Sequence, residues 1–285
     1  MQDFDAQAAA FGARIEDELK TGSLNFPTSF DASLRIKMLA DDPDSSLDEI
    51  ARVIVTEPVL SARLVRMANT LAMNPYGRIV DDVANAVRRV GVSAVRSVAF
   101  AVAAEQLAQD HRSRNMRIVA AGVWLHSVDV ACWAHAIARD VKTVPADTAL
   151  FAGMMVDIGQ FYLVSRASEF PAMEEHIDRF SEFVAIWSDP IGRAILENFG
   201  LPDLVLDAYN YEDPYGGVWP PSTLSDIVFT ATLACESPNP FDSLLGGRRG
   251  RWESLLADPL PVERLDALME DVREGRQEMR AAISG

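Results

Sequence analysis

Cysteine is nearly missing from this chain: Cys132 and Cys235 are the only two in 285 residues, and no short spacing links them. A disulfide framework needs several pairs, and a cysteine-type zinc site needs closely spaced ligands, so neither is indicated. Both thiols are expected in the core, in a reducing compartment such as the cytoplasm. Basic side chains are also scarce. Lys and Arg number 26 against 42 Asp and Glu, a net charge of −16 and a pI near 4.6, which counts against a phosphate backbone as partner. No uninterrupted apolar run reaches the ~18 residues of a membrane span. The N-terminal Met1-Gln2-Asp3-Phe4-Asp5 carries acids where an export leader carries bases. Neither a nucleic acid nor a membrane is therefore expected as partner. A Gly-rich phosphate loop, a Gly-x-Ser-x-Gly elbow and a His-Glu-x-x-His pair are all lacking. No segment shows the strict alternation of a half-buried strand.

Apolar residues make up 49% of the chain, enough for a large core. They recur with helical spacing. Phe4, Ala8, Phe11, Ile15 and Leu19 mark an amphipathic helix over 3–20, and a second is expected over 29–39. Ser46 with Glu49 forms a capping box that starts a third helix, ending at Glu57, and Pro58 suits the first turn of a fourth. Residues 83–90 form a short helix stopped by Gly91, Ser93 caps another over 94–108, and the polar stretch 111–115 is a hinge. Later helices are expected over 117–140, 169–187, 190–199 with Asp189 as cap, 202–211, 222–236 and 262–283. The fold class predicted is all-α.

The stretch Phe151-Ala-Gly-Met-Met-Val-Asp-Ile-Gly-Gln-Phe-Tyr-Leu163 carries one carboxylate, Asp157, in an otherwise apolar helix. A helix without a polar face belongs in an interior. A buried carboxylate then requires hydrogen-bond donors, a cation or a metal opposite it. His126, in the apolar segment 124–131, is the partner expected. The pair either fastens two helices together or contributes to a metal site.

Charge is distributed unevenly. From 61 to 117 there are nine arginines against Asp81, Asp82, Glu105 and Asp110, a local balance of +5. Arg63, Arg66, Arg88, Arg89 and Arg96 form the surface expected to meet a partner protein or a small anionic effector. Other candidates carry less. His135 reads as a structural histidine, His111 and His176 as surface residues, the tract 246–251 as a flexible basic loop, and Trp187, Trp219 and Trp252 as packing residues.

Several motifs agree in order with one family. Phe26-Pro27, Asp42-Pro-Asp-Ser-Ser-Leu-Asp-Glu-Ile-Ala51, Glu57-Pro-Val-Leu-Ser-Ala-Arg-Leu-Val-Arg-Met-Ala-Asn69 and Ala86-Val-Arg-Arg-Val-Gly-Val-Ser-Ala-Val-Arg96 resemble the HDOD family, the HD-related output domain of bacterial signalling proteins. Leu125-His-Ser127, Ala149-Leu-Phe-Ala-Gly-Met-Met-Val-Asp-Ile-Gly159 and Gly200-Leu-Pro202 continue the likeness. The resemblance implies a two-lobed helical fold whose second lobe is similar to HD phosphohydrolases. Its expected divisions are an N-terminal helix 1–23, an N-terminal lobe 24–115, a degenerate HD-like lobe 116–240 and a C-terminal extension 241–285.

In the related hydrolases a His, a His-Asp pair and a later Asp hold a divalent metal that activates water. By resemblance the first His falls on His126 and the pair on Val156 and Asp157. A later His-His pair falls on Tyr211 and Glu212, and the late Asp falls near Cys235. Valine cannot coordinate a metal, so the resemblance implies a non-catalytic signal-transduction module without a metal cofactor, in which His126 and Asp157 are a relic pair. The alternative is a divergent metal-dependent phosphohydrolase that uses His126, Asp157 and a third ligand such as Asp129 or Cys235.

Overall fold

In the computed structural model, residues 2–22, 24, 31–42, 44–70, 73–74, 76–109, 113–198, 201, 203–209, 219–244, 267–275 and 277 are described. The regular elements among them are all helical: α1 (Gln2–Thr21), α2 (Asp31–Asp41), α3 (Leu47–Val55), α4 (Pro58–Ala68), α5 (Val83–Val90), α6 (Val92–Gln109) and α7 (Arg114–Val141), then α8 (Ala146–Met155), α9 (Ile158–Ala167), α10 (Pro171–Glu175), α11 (Ile177–Asn198), α12 (Asp203–Ala208), α13 (Leu224–Ala234) and α14 (Pro240–Leu244). A further helical run covers 267–275.

Local chemistry sets many of the starts. Ser46 and Glu49 exchange side-chain-to-backbone hydrogen bonds at the head of α3, and Thr223 does the same with Asp226 at α13. The first of these satisfies amides that α3 would otherwise leave open, worth about 1 kcal/mol. Pro58 occupies the first turn of α4, where its missing amide costs nothing. Gly91 ends α5 with a φ of 85°. α6 begins at Val92, so Ser93 lies inside the helix rather than capping it.

Two hydrophobic cores result. The smaller joins α2 to α6 through Ile36, Ile54, Leu64, Val87 and Val95. The larger gathers Met116, Ile137, Met154, Ile158, Phe180, Ile195 and Phe241 around α7. α6 belongs to both, because Val98 and Val102 face the first core while Ala103 lies in the second, and it packs against α7 and α8.

α1 is not a separate leading element. Its Phe4, Phe11 and Ile15 enter the larger core, and the helix packs on α10 and α11. Phe11 is stacked against Phe170 and Phe183 at 4.5 and 4.9 Å. A buried polar clamp adds to this. Glu18 accepts from the Tyr162 hydroxyl and pairs with Arg166 at 3.3 Å, while Glu169 bridges Arg166 at 2.5 Å to Arg14 at 2.6 Å. The run 267–275 likewise sends Leu268 and Val272 into the larger core.

Two further expectations are corrected. The apolar stretch around Asp157 is not one helix, since the chain breaks at Val156 and Asp157, and Asp157 becomes the residue that precedes α9. Conversely, Pro190 does not break α11, which runs through it, so Asp189 caps nothing. Packing overrides the proline. Ile191 and Ile195 are wholly buried there, and at Gly159 an added Cβ would lie 1.9 Å from the Ser188 carbonyl oxygen, so α9 and α11 touch backbone to backbone.

Two helical stretches, Arg114–Val141 and Ala146–Ala167, are long and apolar enough by composition to cross a membrane. Their apolar windows are already 72% and 78% buried by neighbouring helices, the condition of core helices.

Candidate functional site

The break between α8 and α9 turns Asp157 toward α7, which presents His126, Ser127 and Asp129 within one turn. From the far side comes the five-residue loop Cys235-Glu-Ser-Pro-Asn239 between α13 and α14. His126, Asp157 and Cys235 are 3%, 5% and 6% exposed, so the cluster is sealed inside the larger lobe.

Its hydrogen bonds are closely specified. Asp157 accepts from the Ser127 hydroxyl at 2.7 Å on Oδ2 and from the Asn239 amide at 3.0 Å on Oδ1. Asn239 also donates to Gln160 at 2.9 Å, and its Oδ1 accepts from the Phe241 backbone amide. Asp129 Oδ2 receives the backbone amides of Glu236 and Ser237 at 2.8 and 2.7 Å. His126 Nδ1 lies 2.7 Å from the Ser237 carbonyl oxygen. A carbonyl only accepts, so Nδ1 carries the hydrogen and donates it there. Cys235 Sγ sits 3.2 Å from the same nitrogen and donates to the same carbonyl at 3.2 Å.

His126 and Asp157 are thus neighbours without a direct hydrogen bond, their closest approach being 4.0 Å from Nε2 to Oδ2. Burial pushes the Asp157 carboxyl above its ordinary range. The facing His126 and the Ser127 hydroxyl oppose the rise, and Asp242 adds to it.

The donor set does not fit a firmly held divalent ion. Among the described residues no group of three or more His, Cys, Asp or Glu side chains converges as a metal site. Asp129 is turned to two backbone amides, Cys235 adjoins Nδ1 rather than the Nε2 that faces Asp157, and Val156 is a buried aliphatic residue. A structural or catalytic site would need three or four converging ligands. The polar groups instead strap the 235–239 loop onto α7 and α9. Tyr211 and Glu212, the expected counterparts of a later ligand pair, lie outside the described residues, as do His111, the tract 246–251 and Trp252.

Ser127 and Asn239 carry the site and were not singled out from the sequence. A signal existed for Asn239. It stands between Pro238 and Pro240, where the backbone cannot continue a regular element and the side chain must find its own partners.

The arginines do not form one surface. Arg63 is buried on α4, and Arg96 is half-buried on α6. Arg66 is exposed, Arg88 pairs with Asp48 at 2.6 Å, and Arg89 donates to the Arg78 and Ala68 carbonyls at 2.7 and 3.3 Å. Of the other histidines, His135 is partly buried, with a pKa lowered by desolvation against the pull of Asp147. His176 is exposed and meets the edge of Phe4.

The family model described as HDOD domain matches residues 26–214. Among solved structures, a protein provisionally named a metal-dependent phosphohydrolase, from Shewanella amazonensis SB2B, is 23% identical, with 98% of this chain and 100% of that one covered and a TM-score of 0.66. An HDOD domain protein with unknown function from Geobacter sulfurreducens is 21% identical over 93% of this chain and 97% of that one, with a TM-score of 0.56. A second protein from Shewanella amazonensis SB2B, provisionally named a phosphohydrolase, is 15% identical over 94% and 97%, with a TM-score of 0.60. At these identities the likeness is one of fold. Comparison with curated proteins gives no match.

Proposed function

Since the chain belongs to the HDOD domain family, we propose that it serves as a non-catalytic regulatory module of bacterial signal transduction, acting in the cytoplasm by binding a protein partner or small anionic effector. What carries this reading is the use made of the one carboxylate, Asp157, that stands where the related hydrolases hold their metal, and of its neighbour Asp129. Asp157 is satisfied by Ser127 and Asn239, and Asp129 by two backbone amides, so each serves to fix a loop. Hydrolysis of a phosphoester would need an open coordination position and an activated water. A sealed cluster with an aliphatic Val156 offers poor support for either.

One observation favours the rival, a divergent metal-dependent phosphohydrolase: Cys235 does reach His126. Metal analysis of protein purified without added ions, followed by a turnover screen over nucleotides and cyclic dinucleotides, separates the two. Substoichiometric metal and no product are expected. Stoichiometric metal, with turnover lost in Asp157→Asn, would establish the enzyme and end the module reading.

A further inference from the structure

The smaller lobe builds a concave site away from the buried cluster. Between the loop 76–82 and α5 lies a cleft of ≈ 510 Å³ lined by Arg78, Ile79, Asp81, Asn85, Arg88 and Arg89, within the roughly 300–1,000 Å³ range of ligand sites. Three arginines and one aspartate line it on a chain that is otherwise strongly acidic; Arg88 is paired with Asp48 and Arg89 with two backbone carbonyls, which leaves Arg78 as the cation turned to solvent.

The loop is held in place rather than left to wander. Asn69 acts as a backbone surrogate, donating to the Val80 carbonyl at 2.6 Å and accepting from the Val80 amide at 2.9 Å. Arg89 grips the Arg78 carbonyl, and Gly77, at a φ of 67°, turns the chain ahead of it. What this scaffold presents is apolar. Ile79 is 85% and Tyr76 91% exposed, far more than a side chain of either type usually shows. The Arg78 side chain has no hydrogen bond or ion pair among the described residues, and Arg88 spends its charge on the exposed Asp48, a pair worth little in water.

We propose that this cleft docks an extended acidic peptide segment of a partner protein, with an aliphatic or aromatic residue laid against Ile79 and neighbouring carboxylates paired with Arg78 and Arg88. The inference deepens the module reading and rests on it. Charge complementarity selects the occupant, because arginine forks match carboxylates in two-pronged geometry. The pinned loop lowers the ordering cost of binding. An anionic bilayer fits less well. Asp81 lines the cleft, Asp48 and Asp82 stand close to it in the lobe, and the chain as a whole carries −16, so a broad negative plane is repelled where a narrow segment is not.

The test is selection of a displayed library of random dodecapeptides on the full chain, with labelled winners titrated against wild type, Arg78→Glu and Ile79→Ser. Both substituted side chains are exposed, and circular dichroism checks that the variants are folded. Winners rich in Asp and Glu around an apolar residue are expected, with affinity falling about tenfold or more in each variant and falling with salt. No enrichment of acidic peptides, or winners that bind Arg78→Glu as tightly as wild type, would overturn the cleft while leaving the module reading standing. That reading fails separately, through metal-dependent turnover. Arg78-dependent sedimentation with phosphatidylserine vesicles, or Arg78-dependent self-association, would replace the peptide by a membrane or a second copy and overturn the proposal.

Discussion

Asp157 is a carboxylate kept from water and held by two neutral donors, and its proton affinity follows from that. Because burial raises its pKa in the folded state, the native protein binds this proton more tightly than the unfolded chain. Native stability therefore falls as pH rises from the ordinary carboxylate value, ~4, through the raised one. Asp157→Asn removes the dependence. Thermal unfolding of both proteins between about pH 4 and pH 8 is expected to show wild type losing ground to the variant as pH increases. A constant difference across that range would mean that Asp157 titrates normally. Asn239→Ala tests the other side of the bond. It takes a donor from Asp157 and Gln160 and an acceptor from Phe241, leaving buried groups open. A loss of about 1–3 kcal/mol in urea unfolding is expected.

Elements of this fold are joined by contacts that tolerate little change. Glu18 and Arg166 are both buried, and Glu18→Ala takes from Arg166 one of its two carboxylates and from the Tyr162 hydroxyl an acceptor, so it is expected to cost about 1–3 kcal/mol. The pair Glu18→Leu with Arg166→Met should recover much of that, as denaturant titrations of both proteins would reveal. Gly159→Ala forces a methyl into the Ser188 carbonyl. The expected loss is about 1–3 kcal/mol by overpacking, and more if α9 and α11 must separate; an unchanged midpoint would mean that the two backbones are not in contact.

How far these elements could be read beforehand depends on where the controlling interaction sits. The capping box at Ser46 and Glu49, Pro58 in a first turn and Gly91 at a stop are local in sequence, and each was legible. The break at Asp157 and the continuity of α11 through Pro190 are set by α7 and α9, distant in sequence, against local signals that pointed the other way. The site was half legible. His126 and Asp157 stood out as polar residues in apolar runs, whereas Ser127 and Asn239 acquire meaning only when the 235–239 loop folds over them.

At the scale of the molecule, α6 is the shared wall between two cores, with Ala103 at the point of contact. Among the described tryptophans, Trp124 and Trp133 lie in the larger core and Trp187 and Trp219 pack against it, so their fluorescence reports the larger lobe, while far-ultraviolet circular dichroism reports every helix. In wild type the two signals should be lost together in denaturant. Ala103→Glu buries a charge at the wall and is expected to separate them, with helicity falling first. Coincident curves in the variant would mean that the lobes do not depend on this contact.

The clamp at Glu18 also fixes an order of events during synthesis. Tyr162, which donates to Glu18, follows it by 144 positions, so at roughly 5–20 residues per second α1 spends on the order of ten to thirty seconds outside the ribosome before its seat is made. Through that interval Phe4, Phe11 and Ile15 have no interior to enter. A nascent chain stalled before α9 should be bound by chaperones through its first twenty residues, and one stalled after α11 should be released.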